Sequence, residues 1–128
     1  MLNSEKMVAS IGNQDLDHAD KYFKKALRED PAEVLVELGQ YLESIGFLPQ
    51  AQEIYEKVRF DFPEVNVNLA QIAAEDGDIE EAFLYLDVIP EDSDDYLSAL
   101  IVKADLYQME GLTDVARDKL LEASQLSD

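Results

Sequence analysis

Between Pro31 and Ile45, the residues Leu35, Leu38, Gly39, Leu42 and Ile45 fall on one stripe at helical spacing, where a strand would need alternation. Asp30-Pro31-Ala32-Glu33 predicts the start of this helix, with Asp30 as a carboxylate cap, Pro31 at the first helical position and Glu33 three residues after the cap. Gly46 predicts its end, because glycine takes the left-handed conformation at a helix terminus without steric cost. Pro49 then restarts a helix that carries Ala51, Ile54, Tyr55 and Val58 inward and stops before Pro63. The segment reads as one helical hairpin.

The same hairpin recurs along the chain. Ala19, Phe23, Ala26 and Pro31 are followed by Ala51, Tyr55, Val58 and Pro63, then by Ala82, Leu86 and Ile89, then by Ala116, Leu120 and Ala123. The alanines are 32, 31 and 34 residues apart, and Gly46, Gly77 and Gly111 each stand five residues before one of them. Two markers with one period define a repeat, and the phases are 1–31, 32–63, 64–95 and 96–128. The third carries Leu69, Ala70, Ile72 and Ala73 in its first helix and a capping box at Asp78-Ile79-Glu80-Glu81. The fourth carries Leu97, Leu100, Ala104 and Tyr107, then a Thr113 cap and Val115, Ala116, Leu120 and Leu121. The first is irregular, with a short leading helix from about Asn3 to Ile11.

Small residues at Gly39, Ala70 and Ala104, and at Ala19, Ala51, Ala82 and Ala116, let paired helices approach closely. Phe23, Tyr55, Leu86 and Leu120 are expected to fill the gap towards the next hairpin. The set Leu38-Gly39-x-x-Leu42 with Gly46, Ala51, Tyr55 and Pro63 resembles the tetratricopeptide repeat (TPR) family. The resemblance covers nearly the whole chain. It implies an all-α fold, a TPR-like α-solenoid whose seven to eight helices pair antiparallel in a right-handed superhelix, as a single domain over 1–128. It also implies the N-terminal part of a longer protein of bacterial type. The sequence departs from the family at the bulky Trp of the first helix, where Leu35, Asn66 and Leu100 stand. Lys103 replaces the apolar Leu38 and Leu69, so the fourth first-helix is either rotated or its lysine stem snorkels. Pro90 shortens the third phase's second helix by about a turn.

Composition bounds the function. With 29 acidic and 10 basic residues the net charge is −19, which opposes a nucleic-acid backbone. Hydrophobic residues at 47% separate the chain from acidic disordered proteins, and 128 residues suffice for one packed body. The absence of cysteine excludes disulfides and thiolate chemistry, no signal peptide or membrane span is expected, and a cytoplasmic protein is the default reading. His18, the one histidine, lies among Asp17 and Asp20 on a solvated face. Glu75-Asp76-Gly77-Asp78 and Glu91-Asp92-Ser93-Asp94-Asp95 lack calcium-loop spacing and read as caps and solvated links. No enzyme, cofactor or metal site is expected.

What remains is a binding surface for protein. Beside the core stripe of the first helices run Val36, Gln40 and Glu43, then Val67, Gln71 and Ala74, then Ile101, Asp105 and Gln108. By resemblance these line a concave face that holds peptides. The stripe offers no base, so an acidic tail would meet like charge, and a neutral or basic segment fits better. The balance is −1, −4, −11 and −3 over the four phases, and no base lies between Arg59 and Lys103. That acidic third phase either speeds the approach of a basic partner or only keeps the protein soluble. The last helix, with Leu120, Leu121, Ala123 and Leu126 and no polar cap after it, suggests self-association or a longer solenoid. The expected function is a protein-interaction scaffold; the alternative is a structural or oligomerisation segment whose ligand contacts lie elsewhere.

Overall fold

The computed structural model describes residues 1–126, which form eight helices and no strand. They are α1 (Asn3–Gly12), α2 (Leu16–Glu29), α3 (Ala32–Ser44), α4 (Leu48–Val58), α5 (Val65–Glu75), α6 (Ile79–Asp87), α7 (Tyr96–Met109) and α8 (Thr113–Leu126). Consecutive helices pack as the hairpins α1–α2, α3–α4, α5–α6 and α7–α8, which is the all-α repeat that the sequence predicts. The hairpins group into two compact units, Met1–Phe62 and Pro63–Asp128, and the division falls at the Pro63 repeat boundary. The final residues 127–128 of the fourth phase lie outside the described residues.

Each hairpin turns by the same device. The amide at Gly46 donates to Glu43 O (3.1 Å) and that of Phe47 to Leu42 O (2.8 Å), so two orphan carbonyls of α3 are satisfied while Gly46 takes φ +88°. Gly77 and Gly111 repeat this at φ +84° and +79°. In the first hairpin the corresponding residue is Gln14, with φ +60°, and the amides of Gln14 and Asp15 donate to Ile11 O and Ser10 O in the same way. Gln14 stands five residues before Ala19, as the three glycines do before their alanines. The turn is therefore dictated by helix-end hydrogen bonding, and the side chain carries the strain.

In the first unit Met7, Ala19, Phe23, Ala26, Leu35, Leu38, Leu42, Ala51, Ile54, Tyr55 and Val58 are all buried. Full burial of a leucine such as Leu42 contributes on the order of 1.5–3 kcal/mol. Gly39 is a close-approach position: a Cβ there would stand 2.8 Å from Tyr55 Cε1. The second unit buries Leu69, Ala70, Ala73, Ala82, Leu86, Leu100, Ala104 and Ala116 at the repeat-equivalent places. Phe83 and Tyr107 add a tilted ring contact at 4.8 Å between α6 and α7.

Several local expectations are corrected. Asp30 does not cap α3, which has Pro31 at its N-cap and no side-chain capping bond. Its carboxylate turns instead to the start of α1, accepting from Ser4 N (2.8 Å), Ser4 Oγ (2.6 Å) and Asn3 N (3.3 Å). Thr113 is the first residue of α8, with Leu112 O accepting the Ala116 amide at the cap position. Leu120, placed inward with Phe23, Tyr55 and Leu86, is 50% exposed, and Leu121 and Val115 are exposed too, since no further hairpin packs on α8 among the described residues. Lys103 resolves to snorkelling: its stem is half-buried and Nζ reaches Asp87 Oδ1 at 2.9 Å. Asn66, in the place of Leu35 and Leu100, is buried; its Nδ2 donates to Pro63 O (3.0 Å), while its Oδ1 has no partner.

Candidate functional site

The first helices of the second, third and fourth hairpins each bury one strip of residues against the partner helix, and a second strip flanks it. On α3 the core strip is Leu35, Gly39 and Leu42, and the strip one residue further round is Val36, Gln40 and Glu43. Gln40 is exposed, and Val36 and Glu43 are half-buried. Glu43 is engaged within the fold, because its Oε1 accepts the hydroxyl of the fully buried Tyr55 at 2.7 Å. Burial pushes the Tyr55 hydroxyl far above its ordinary pKa, and the adjoining Glu43 carboxylate raises it further, so it stays a donor.

In the second unit Gln71 on α5 is exposed and Val67 and Ala74 are half-buried. On α7 Ile101, Asp105 and Gln108 are all exposed, and Ile101, at 43%, is an apolar side chain that the core does not use. Three of these residues belong to the first unit and six to the second.

A surface that sequence reasoning missed lies on the other side of α3, within the first unit. There α1 and α3 leave an open groove of about 590 Å³, lined by Leu2 at the N-cap of α1 with Ser4, Glu5 and Val8 of that helix, and by Val34, Glu37, Leu38 and Tyr41 of α3. The signal was present in the period: Leu2 and Val34, and Glu5 and Glu37, are each 32 residues apart, the spacing of Ala19 and Ala51. A second cavity of about 300 Å³ lies between α2 and the α3–α4 turn, against Phe23, Phe47 and Pro49.

The remaining polar candidates serve the fold. Exposed His18 places Nδ1 2.6 Å from Asp15 Oδ2, and Asp15 caps α2 by accepting the His18 amide at 3.2 Å. That amide bond is the main reason the Asp15 carboxyl sits below its ordinary pKa, with the imidazole adding to it. For Asp30, burial pushes the carboxyl up, but the bonds from Ser4 and Asn3 outweigh it and hold it low. In the acidic segments Asp76 ends α5 and Asp78 opens α6, accepting the Glu81 amide at 3.1 Å. Among the described residues no three His, Asp or Glu side chains converge to hold a metal ion. No described helix is long and apolar enough to cross a membrane.

Repeated helical hairpins with tight turns at equivalent places define a protein of the helical-repeat class. Residues 9–33 match the tetratricopeptide repeat family model, a stretch that takes in the end of α1, all of α2 and the start of α3. The match falls on the first hairpin, the least regular by sequence, where Ala19, Phe23 and Ala26 are kept and buried. The chain is 27% identical over 117 residues to the TPR repeat-containing protein YpiA of Bacillus subtilis (strain 168). That alignment takes in 91% of this chain and 27% of the relative, so the chain spans about a quarter of that protein's length. The chain is thus similar to tetratricopeptide repeat proteins, by a family-model match over its first hairpin and by this relative. Such repeats are in general scaffolds for protein–protein interaction.

Proposed function

We propose that this chain is a non-enzymatic scaffold, in a cytoplasmic setting, that binds a neutral or basic polypeptide segment through the stripe of its first helices. The observation that carries the reading is that Gln40, Gln71, Ile101, Asp105 and Gln108 remain exposed on helices whose adjoining strips are fully committed to the core. Gln40 and Gln71 supply amide donors and acceptors, and Ile101 with the half-buried Val36 and Val67 supplies apolar contact. Glu43 acts through Tyr55, and Ala74 leaves space for a ligand side chain. The absence of Lys and Arg from the stripe, and from residues 60–102 altogether, disfavours an acidic ligand.

The test is a peptide panel of matched length and varied charge at moderate salt, with the triple variant Gln40→Ala, Gln71→Ala, Asp105→Ala alongside. Neutral or basic peptides should bind the parent and be lost on the variant with its helical content unchanged. Tighter binding of acidic peptides, or binding that ignores the triple change, would remove this reading.

A specific observation also favours a second reading, a structural or self-associating segment of a longer solenoid. Leu112, Leu120, Leu121 and Leu126 of the α8 region are each about half exposed, and Leu120 corresponds to residues that are buried in the three earlier hairpins. Sedimentation at rising concentration separates these readings, because association through α8 shows itself without any peptide.

A further inference from the structure

The two units contain the same kind of seam, and only one of them is filled. In the second unit, α7 turns Ala99, Val102 and Leu106 towards the preceding hairpin, and all three are at most 8% exposed. In the first unit, the residues in those places on α3 are Val34, Glu37 and Tyr41, and they line the 590 Å³ groove against α1. Val34 and Tyr41 are half-buried, and on the facing wall Leu2, the N-cap of α1, and Val8 are 40% and 36% exposed. Glu5 and Glu37 are both exposed, one on each wall. Glu5 accepts the Leu2 amide at 2.9 Å, which fixes its carboxylate at the rim. Apolar walls with one carboxylate on each side, at equivalent places in two successive repeats, describe a complement to an apolar segment that carries cations.

We propose that the α1–α3 groove docks a basic amphipathic polypeptide segment. Its apolar side chains lie against Leu2, Val8, Val34 and Tyr41, and its Lys or Arg groups pair with Glu5 and Glu37. The inference rests on the reading of the first helices as protein-binding. On α3, however, it uses the strip Val34, Leu38 and Tyr41, which is separated from Val36, Gln40 and Glu43 by the core strip. The two sites can therefore fail separately.

The probe is an 18-residue amphipathic helix of Leu and Lys, with a Leu and Glu counterpart, titrated into the ¹⁵N-labelled chain. The Leu/Lys peptide should shift the amides around Val8, Val34, Glu37 and Tyr41. Its affinity should fall about fivefold or more in Glu5→Gln/Glu37→Gln, which alters charge without removing apolar area, and more slightly as salt is raised in that variant than in the parent. Val34→Ser, a mild change at a half-buried place, should weaken binding while the rest of the spectrum stays in position. Equal binding of the Leu/Glu peptide would overturn the proposal. So would shifts confined to the acidic residues 64–95, or no shift at all. Binding that survives the groove variants but is lost on Gln40→Ala/Gln71→Ala/Asp105→Ala would overturn the groove and leave the stripe standing.

Discussion

Replacing Gly39 by alanine pits local preference against packing, and the structure decides which wins. In an isolated helix the change stabilises by about 1 kcal/mol, because alanine loses less backbone entropy. Here the new Cβ would meet Tyr55 Cε1 at 2.8 Å, and Ile54 Cγ2 and Tyr55 Cδ1 at 3.2 Å. Carbon atoms rest at roughly 3.5–4.0 Å, so the ring would have to retreat by about 1 Å. Tyr55 is fully buried and its hydroxyl is held by Glu43, so the ring has nowhere to go without moving α4. Overpacking of this kind costs about 1–3 kcal/mol, and the net expectation is a loss of about 1–2 kcal/mol.

The third repeat supplies the control, since Ala70 and Leu86 stand where Gly39 and Tyr55 do, and both are buried. Tyr55→Leu alone should cost about 2–4 kcal/mol, from the lost ring volume and the lost Tyr55–Glu43 hydrogen bond. Adding Gly39→Ala to it should then be neutral or mildly stabilising, which makes the pair non-additive by about 2 kcal/mol. Urea unfolding followed by helical circular dichroism measures all four members of the cycle, with the slope checked for a change in cooperativity. The reasoning fails if Gly39→Ala stabilises the parent, or if its penalty is the same in both backgrounds.

Gln14→Gly removes a non-glycine residue from a left-handed turn and should raise stability by about 0.5–1 kcal/mol, seen as a higher melting temperature; an unchanged midpoint would show that the turn is unstrained. Asp30→Asn should lose about 1 kcal/mol near neutral pH, as a helix cap does. Because the Asp30 carboxyl is held below its ordinary value in the fold, its stabilisation is complete above the unfolded pKa near 4 and fades as the pH drops through the lowered folded one. The gap between parent and variant in urea midpoints should therefore close below about pH 4, and a gap that widens there would contradict the assignment.

The repeat was legible because its causes are local or nearly so. A glycine or its substitute five residues before an alanine, and apolar residues at helical spacing, describe a hairpin whatever surrounds it, and Gly46, Gly77 and Gly111 each took the conformation the sequence calls for. The core strips Leu35, Gly39 and Leu42, and Ala51, Ile54 and Tyr55, follow from the same period. Contacts between elements were not legible. Asp30 sits before Pro31 in a pattern that reads as a cap for α3, yet the α1–α2 pairing brings Ser4 and Asn3 to it, and two amides and a hydroxyl outcompete the neighbouring turn. Glu43 reads as a member of the binding stripe with Val36 and Gln40, and only the fold shows that Tyr55, twelve residues on, donates to it. Whether a seam between successive hairpins is filled depends on side-chain volumes arriving from two helices at once, as with Ala99, Val102 and Leu106 in one unit and Val34, Glu37 and Tyr41 in the other. Periodicity fixes which strip each residue occupies; only the packed structure decides what that strip meets, because the distance between two helices is a property of neither alone.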